Sequence, residues 1–238
     1  MSKKVIFIII VIMSSTSLFS QWGILTSDAD SLVRKGSYHI YNIEFDSAQV
    51  CFEKLMNMYP AHPAGYFLSA MIDWWKITLW REYSVYDKGF LKKIDKVIDV
   101  CDDILDTNDM DLNALFFKAG ALGYRARFYA QKEEWFNSVT DGSTAFDLMI
   151  KCYKSAPQNY DIMLGTGIYN YFAAVLPEKY PIIQPFMYLF PKGDKKIGML
   201  QLIAASERAR YASVEAKVVL LQVYYSFEND VYQTVKLA

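Results

Sequence analysis

Along Phe45–Pro60, read FDSAQVCFEKLMNMYP, the apolar positions Phe45, Ala48, Phe52, Leu55 and Tyr59 step by three, four, three and four. That spacing lies on one face of an α-helix, and Pro60 ends it. The same rhythm returns in Leu91, Ile94, Ile98, Cys101 and Leu105, and part of it in Ala145, Met149 and Cys152. Between these stripes lie segments that are apolar nearly all round: Ala64–Trp80, Leu112–Lys132 and Ile162–Leu176. Turn formers separate them, namely Pro60–Pro63, the polar run Asp106–Asp111 and Pro157, while Asp141-Gly142 predicts a turn inside the third pair. Pro177 predicts a break in the fourth pair, and Asp194 an N-cap after the proline-bounded segment Pro181–Pro191. Apolar alternation at period two is nowhere sustained, so no strand competes. The pattern predicts an all-α chain of helical hairpins over about 28–60, 63–106, 110–157 and 160–210, with an incomplete fifth over 213–238.

Leu32, Gly36, Ala48, Phe52 and Pro60 fall at positions four, eight, twenty, twenty-four and thirty-two of one tetratricopeptide repeat, which this first hairpin resembles. The small crossing residues Gly36, Ala70, Gly120 and Gly167 stand 12, 24, 25 and 31 residues before their partners Ala48, Ile94, Ala145 and Gly198. Only the first separation is that of the ordinary repeat; the others require longer first helices or longer connections. The runs Leu164–Pro177, Pro191–Ser206 and Tyr211–Asp230, with Tyr41–Phe45, are similar to exported bacterial tetratricopeptide proteins. They are also similar to the eukaryotic tetratricopeptide-39, or inclusion-clearance, family. The resemblance implies a right-handed α-solenoid with lengthened repeats. It implies no activity by itself.

Composition narrows the function classes. Apolar residues at 53% exclude a disordered chain, and a net charge of −1 leaves no basic excess for a nucleic-acid backbone. Met1–Ser20 has the order of a secretory signal, with Lys3 and Lys4, the apolar run Val5–Met13, then small and polar residues. A cleaved leader, a tether over 21–27 and an exported mature chain, periplasmic or secreted, are expected. Cys51, Cys101 and Cys152 are odd in number and each lies in a helical stripe, so buried free thiols are expected.

Catalytic and metal chemistry finds no constellation. The two histidines, His39 and His62, have no Cys, Asp or Glu at ligand spacing, so neither a metal nor a cofactor is expected. Gly165-Thr166-Gly167 lacks the lysine and preceding strand of a phosphate loop. Arg81, Arg125 and Arg127 read as surface ion-pair partners, with clasping of an acidic peptide as the alternative. The function expected is therefore a non-enzymatic scaffold that binds a protein or peptide in its concave face. The alternative is a binding protein for an apolar or glycan ligand, using an aromatic groove capped by Pro177–Pro191.

What the resemblance implies for the groove is specific. Repeat positions five and twelve would line it, giving rows Val33, Phe67, Phe117, Leu164 and Ile40, Trp74, Tyr124, Tyr171. Phe67, Trp74, Phe117, Tyr124, Arg125 and Tyr171 are the candidate binding residues, unless the longer helices turn the rows into core. Pro181–Pro191 is expected to bury Ile183, Phe186 and Leu189 against the helices; a membrane contact through it is the alternative.

Overall fold

The computed structural model describes residues 26–188 and 190–238, all-helical with no strand among them. The expected leader over 1–20 and most of its tether lie outside the described residues. The long helices are α1 (Ser27–Tyr41), α2 (Phe45–Met58), α3 (Pro63–Leu79), α4 (Asp87–Leu105), α5 (Leu112–Gln131), α6 (Trp135–Ser155) and α7 (Tyr160–Lys179). After a short helix α8 (Gln184–Met187) come α9 (Lys195–Arg208), α10 (Ser213–Val223) and α11 (Val231–Leu237). Each long helix packs against the next one in sequence, α7 pairing with α9. The first helices of neighbouring hairpins also touch, α1 with α3 and α3 with α5.

Local chemistry sets the ends. The first helices are capped by side chains: Thr26 accepts from the Ala29 amide, Asp111 from that of Ala114, and Asn159 from those of Asp161 and Ile162. His62 caps α3 through Nδ1, with Pro63 in the first turn where its missing N–H costs nothing. The second helices α2, α4 and α6 have no such cap. Two of them follow directly on a tight left-handed turn. Ile43, at φ 63°, donates to Ile40 O at 2.9 Å, and Glu44 donates to His39 O at 2.8 Å. Glu133, at φ 61°, and Glu134 repeat the arrangement on Ala130 and Tyr129. Both turns are Schellman motifs, which recapture the last carbonyls of one helix as the next begins.

Two turn expectations are overturned. Asp141-Gly142 lies inside α6, where Asp141 is buried and paired with Arg125 on α5. That ion pair suits a helix, and the extra residues of the third hairpin lengthen its helices instead of a loop. Pro177 does not break α7, which runs on to Lys179. It sits in the last turn, where it removes a single hydrogen bond, and the Tyr180 amide closes the turn on Leu176 O at 2.7 Å.

The main core lies between α1 and α5. Phe52, Phe90, Ile94, Val97 and Cys101 are sealed within it, and Trp74 packs against Phe90 with ring centroids 5.7 Å apart. Gly36 has no Cβ because the Phe52 ring occupies that place. A smaller core joins α5, α6 and α7 through Leu115, Met149, Cys152 and Ile162. A third joins α7, α9 and α10 through Tyr171, Leu202, Leu220 and Val223. All three cysteines are buried free thiols, and burial pushes Cys101 and Cys152 up to about 12, which leaves them inert. In Pro181–Pro191, Ile183 is buried and Tyr188 is 88% exposed, while the side chains of Phe186 and Leu189 lie outside the described residues.

Ile43 is a β-branched residue in left-handed backbone with its side chain 55% exposed. That conformation costs an L-residue roughly 1–2 kcal/mol, and an exposed isoleucine recovers little of it by packing. Ile43→Asn should therefore raise unfolding stability by about 0.5–1 kcal/mol, read as a higher urea midpoint at unchanged slope.

Candidate functional site

The expected aromatic rows are mostly core. Trp74, Phe117 and Tyr171 are 2%, 7% and 0% exposed, and Val33 and Ile40 are buried with them. Phe67 and Tyr124 are partly buried and close the gap between them: Phe67 stands 5.5 Å from Phe117, and Tyr124 5.2 Å from Trp74, centroid to centroid. The Tyr171 hydroxyl bonds the Glu228 carboxylate. Arg125 is spent on ion pairs, two hydrogen bonds to Asp141 at 2.6 and 3.0 Å and one to Asp95 at 2.7 Å. It clamps α4, α5 and α6 together and is not a free cation. Tyr124 also lies beside a polar cluster between α1, α3, α5 and the segment 213–223.

That cluster gathers on Glu215, in the first turn of α10. Trp75 Nε1 on α3 donates to its carboxylate at 3.1 Å, across 140 residues of chain. Tyr41 on α1 and Tyr124 on α5 lie close enough for the carboxylate to help raise the pKa of both phenols, behind the larger effect of burial. Arg127, also on α5, adds its positive charge; its guanidinium lies 5.1 Å from the centre of the Trp74 ring. One turn pair further along α10, Gln222 accepts from Arg127 at 3.0 Å. Tyr41 and Trp75 meet edge to face at 5.8 Å. Side chains from three hairpins thus converge on one carboxylate.

A second contact closes the same circuit. Asp30, in the first turn of α1, accepts from Arg210 Nε at 2.9 Å and from the Tyr211 hydroxyl at 2.7 Å. Asp161 at the start of α7 fixes the backbone there, accepting from the amides of Tyr211 at 2.8 Å and Ala212 at 2.9 Å. The Arg210 guanidinium holds Asp30 below the ordinary carboxylate range. Burial does the opposite to Glu215, raising it above its ordinary value against the pull of the Trp75 and Tyr124 hydrogen bonds.

The arrangement can hold and orient a carboxylate. It offers no nucleophile beside a base. Among the described residues no group of His, Cys, Asp and Glu could hold a metal. His39 pairs with Glu44, and His62 is spent on capping. A shallow cleft of about 240 Å³ is lined by Arg125, Tyr129, Phe136 and Asp141, and one of about 340 Å³ by Tyr225, Asn229 and Val231. Neither is lined by Pro177–Pro191, and no helix described is long and apolar enough to cross a membrane. Sequence reasoning missed Tyr41, Trp75 and Glu215. The one signal available was an acid inside the apolar run Val214–Val223. Comparisons with protein families, with curated proteins and with solved structures return no match.

Two measurements separate core from cluster. Trp74→Ala should cost about 3–5 kcal/mol of stability, as a buried aromatic with nothing to collapse into its place. For Glu215, the raised folded value sets the sign: its contribution is fully present below the ordinary glutamate value of 4.5 and is lost as pH rises through the folded value. The stability of the wild type relative to Glu215→Gln should therefore fall as pH climbs from about 4 towards neutrality. A difference that is flat with pH would show that the carboxylate is not enclosed.

Proposed function

We propose that the chain is an exported, non-enzymatic scaffold that binds a protein or peptide on its concave face. In this reading the hairpins form a tetratricopeptide-like α-solenoid with lengthened repeats, and α1, α3 and α5 line its inner wall. The observation that carries the reading is the convergence of Tyr41, Trp75, Tyr124 and Arg127 on a carboxylate presented by a helix. Polar and aromatic side chains brought together from three hairpins have the composition of an interface anchor, with tryptophan, tyrosine and arginine in one cluster. The apolar or glycan reading needs an enclosed aromatic pocket, whereas the two clefts described are shallow and the larger, of about 340 Å³, has Tyr225 as its one aromatic lining residue.

Gly123 offers a direct test. It precedes Tyr124, lies one helical turn from Arg127, and a Cβ built there meets nothing within 4 Å. A photo-crosslinker on Gly123→Cys should trap an envelope protein in the exported chain. The same reagent on Val50→Cys, 65% exposed on α2, should trap far less. Trapping through Val50 and not through Gly123 would move the binding surface off the concave face.

A further inference from the structure

The turn Pro60-Ala61-His62-Pro63 carries the chain from α2 into α3, and His62 closes it. Its amide donates to Tyr59 O at 3.0 Å, and its Nδ1 accepts from the Ala64 amide at 3.2 Å as the N-cap of α3. The caps of α1, α5, α7 and α9 are Thr26, Asp111, Asn159 and Asp194, whose oxygens keep an acceptor lone pair across the range where histidine titrates. An imidazole does not, because the proton it gains sits on the lone pair that caps. With Nδ1 accepting, the proton of the neutral ring is on Nε2, which is buried and makes no hydrogen bond among the described residues. The ring stands edge to face with Phe117 of α5, 5.9 Å away. Behind it Pro63, Ala64 and Gly65 are buried, and the Met56 side chain of α2 fills the place a Gly65 Cβ would take. One titratable ring thus fixes the first turn of α3 between α2 and α5.

We propose that His62 is an acid-sensitive latch on the joint between α2 and α3, holding the first turn of α3 while neutral and releasing it when protonated. Protonation acts there in three ways. It takes the Nδ1 lone pair from the Ala64 amide, and it sets a positive charge at the positive end of the α3 dipole. It also encloses that charge beside Phe117. The carboxylate that opposes these effects is Asp111, at the start of α5, which accepts from the Ala114 amide. The Tyr66 phenol of α3 donates to Pro60 O at 3.0 Å, and Lys96 of α4 lies 5.9 Å over the Tyr66 ring and brings no counter-charge. Burial outweighs Asp111 and holds His62 below its ordinary 6.5. The neutral ring is therefore the form the fold favours, and the unfolded chain takes the proton first as pH falls. The contribution of His62 is whole above 6.5 and is lost as pH falls from there through the folded value. This is the opposite direction to Glu215. What the latch frees is the start of α3, where Phe67 meets Phe117 at 5.5 Å.

The test compares the full wild-type chain with His62→Asn, which keeps a capping acceptor and cannot titrate. In urea unfolding, the folded-to-unfolded ratio of the wild type should fall roughly threefold or more relative to the variant between about pH 7 and about pH 5. Groups common to both chains cancel in that comparison. His62→Ala, which has no acceptor, should be less stable than His62→Asn by the same factor at both pH values. Amide exchange, corrected for its intrinsic pH dependence, locates the effect. At about pH 5, residues 64–68 should exchange roughly threefold or more faster in the wild type than in His62→Asn, with α9 unchanged. A stability difference that is flat with pH overturns the proposal, as does one of opposite sign, in which the imidazolium pairs with Asp111. Equal exchange at residues 64–68 overturns the latch even where stability differs. Where His62→Asn folds poorly, a nuclear magnetic resonance titration of the His62 ring in the wild type decides. A midpoint below 6.5, with exchange at residues 64–68 rising through it, supports the latch, and a midpoint at or above 6.5 overturns it.

Discussion

The enclosed carboxylate of Glu215 is the interaction on which the shape of the molecule depends. Sequential packing of one helix on the next would by itself leave an open chain of hairpins. Two long-range contacts close it, Glu215 on the Trp75 cluster and Arg210 with Tyr211 on Asp30. Loop closure over so many residues is entropically expensive in a disordered chain, but here the rigid hairpins between the contacts have already paid most of it. What remains is the desolvation of a carboxylate. Its raised protonation equilibrium reports that the donors around it do not fully offset that cost. The closure thus carries a desolvation cost that the apolar packing of Phe52, Phe90 and Ile94 in the main core does not.

Helical class and buried cysteines were legible in the sequence because they follow from apolar periodicity, which is a local property. Of the second-helix stripes used in that reading, Phe52, Ile94, Cys101, Met149 and Cys152 are buried, while Tyr59, Leu91, Ile98 and Leu105 are partly so. The candidate site was legible only to within one residue. Placing Gly36 and Ala70 at the crossing put Ile40 and Trp74 among the candidate lining residues, whereas these two are buried and it is their neighbours Tyr41 and Trp75 that approach Glu215. One residue along an α-helix turns a side chain by about 100°, enough to exchange core for face. In α5 the expected Tyr124 does approach Glu215. Glu215 was beyond reach, since nothing local to Val214–Val223 records that its partner lies 140 residues away.

The turns were misjudged for a different physical reason. Left-handed backbone is normally announced by glycine or asparagine, and none stands at the left-handed position of either tight turn. Ile43 and Glu133 adopt it instead, each followed by a glutamate and an aromatic residue, Glu44-Phe45 and Glu134-Trp135. Phe45 is anchored at once against Trp80, 6.1 Å away, with Lys76 5.5 Å over its ring. Tertiary packing of the residue after the turn can thus hold a conformation that the turn residue itself disfavours. Conversely, Asp141-Gly142 has the chemistry of a turn and none of its structure, because the Arg125 ion pair holds Asp141 where a helix places it.

The lengthening of the hairpins connects these observations. The first helices grow from 15 residues in α1 to 17 in α3 and 20 in α5. The last two turns of α5 carry Arg127 and Phe128, and these go to opposite uses. Phe128 packs on Phe90 at 5.6 Å and extends the core. Arg127 lies against Trp74, reaches Gln222 and brings positive charge to Glu215. An α5 shortened to the 15 residues of α1 would end at Ala126 and lose Arg127, the cation that acts on the carboxylate of Glu215. The greater length of α5 is thus what sets a cation beside Glu215.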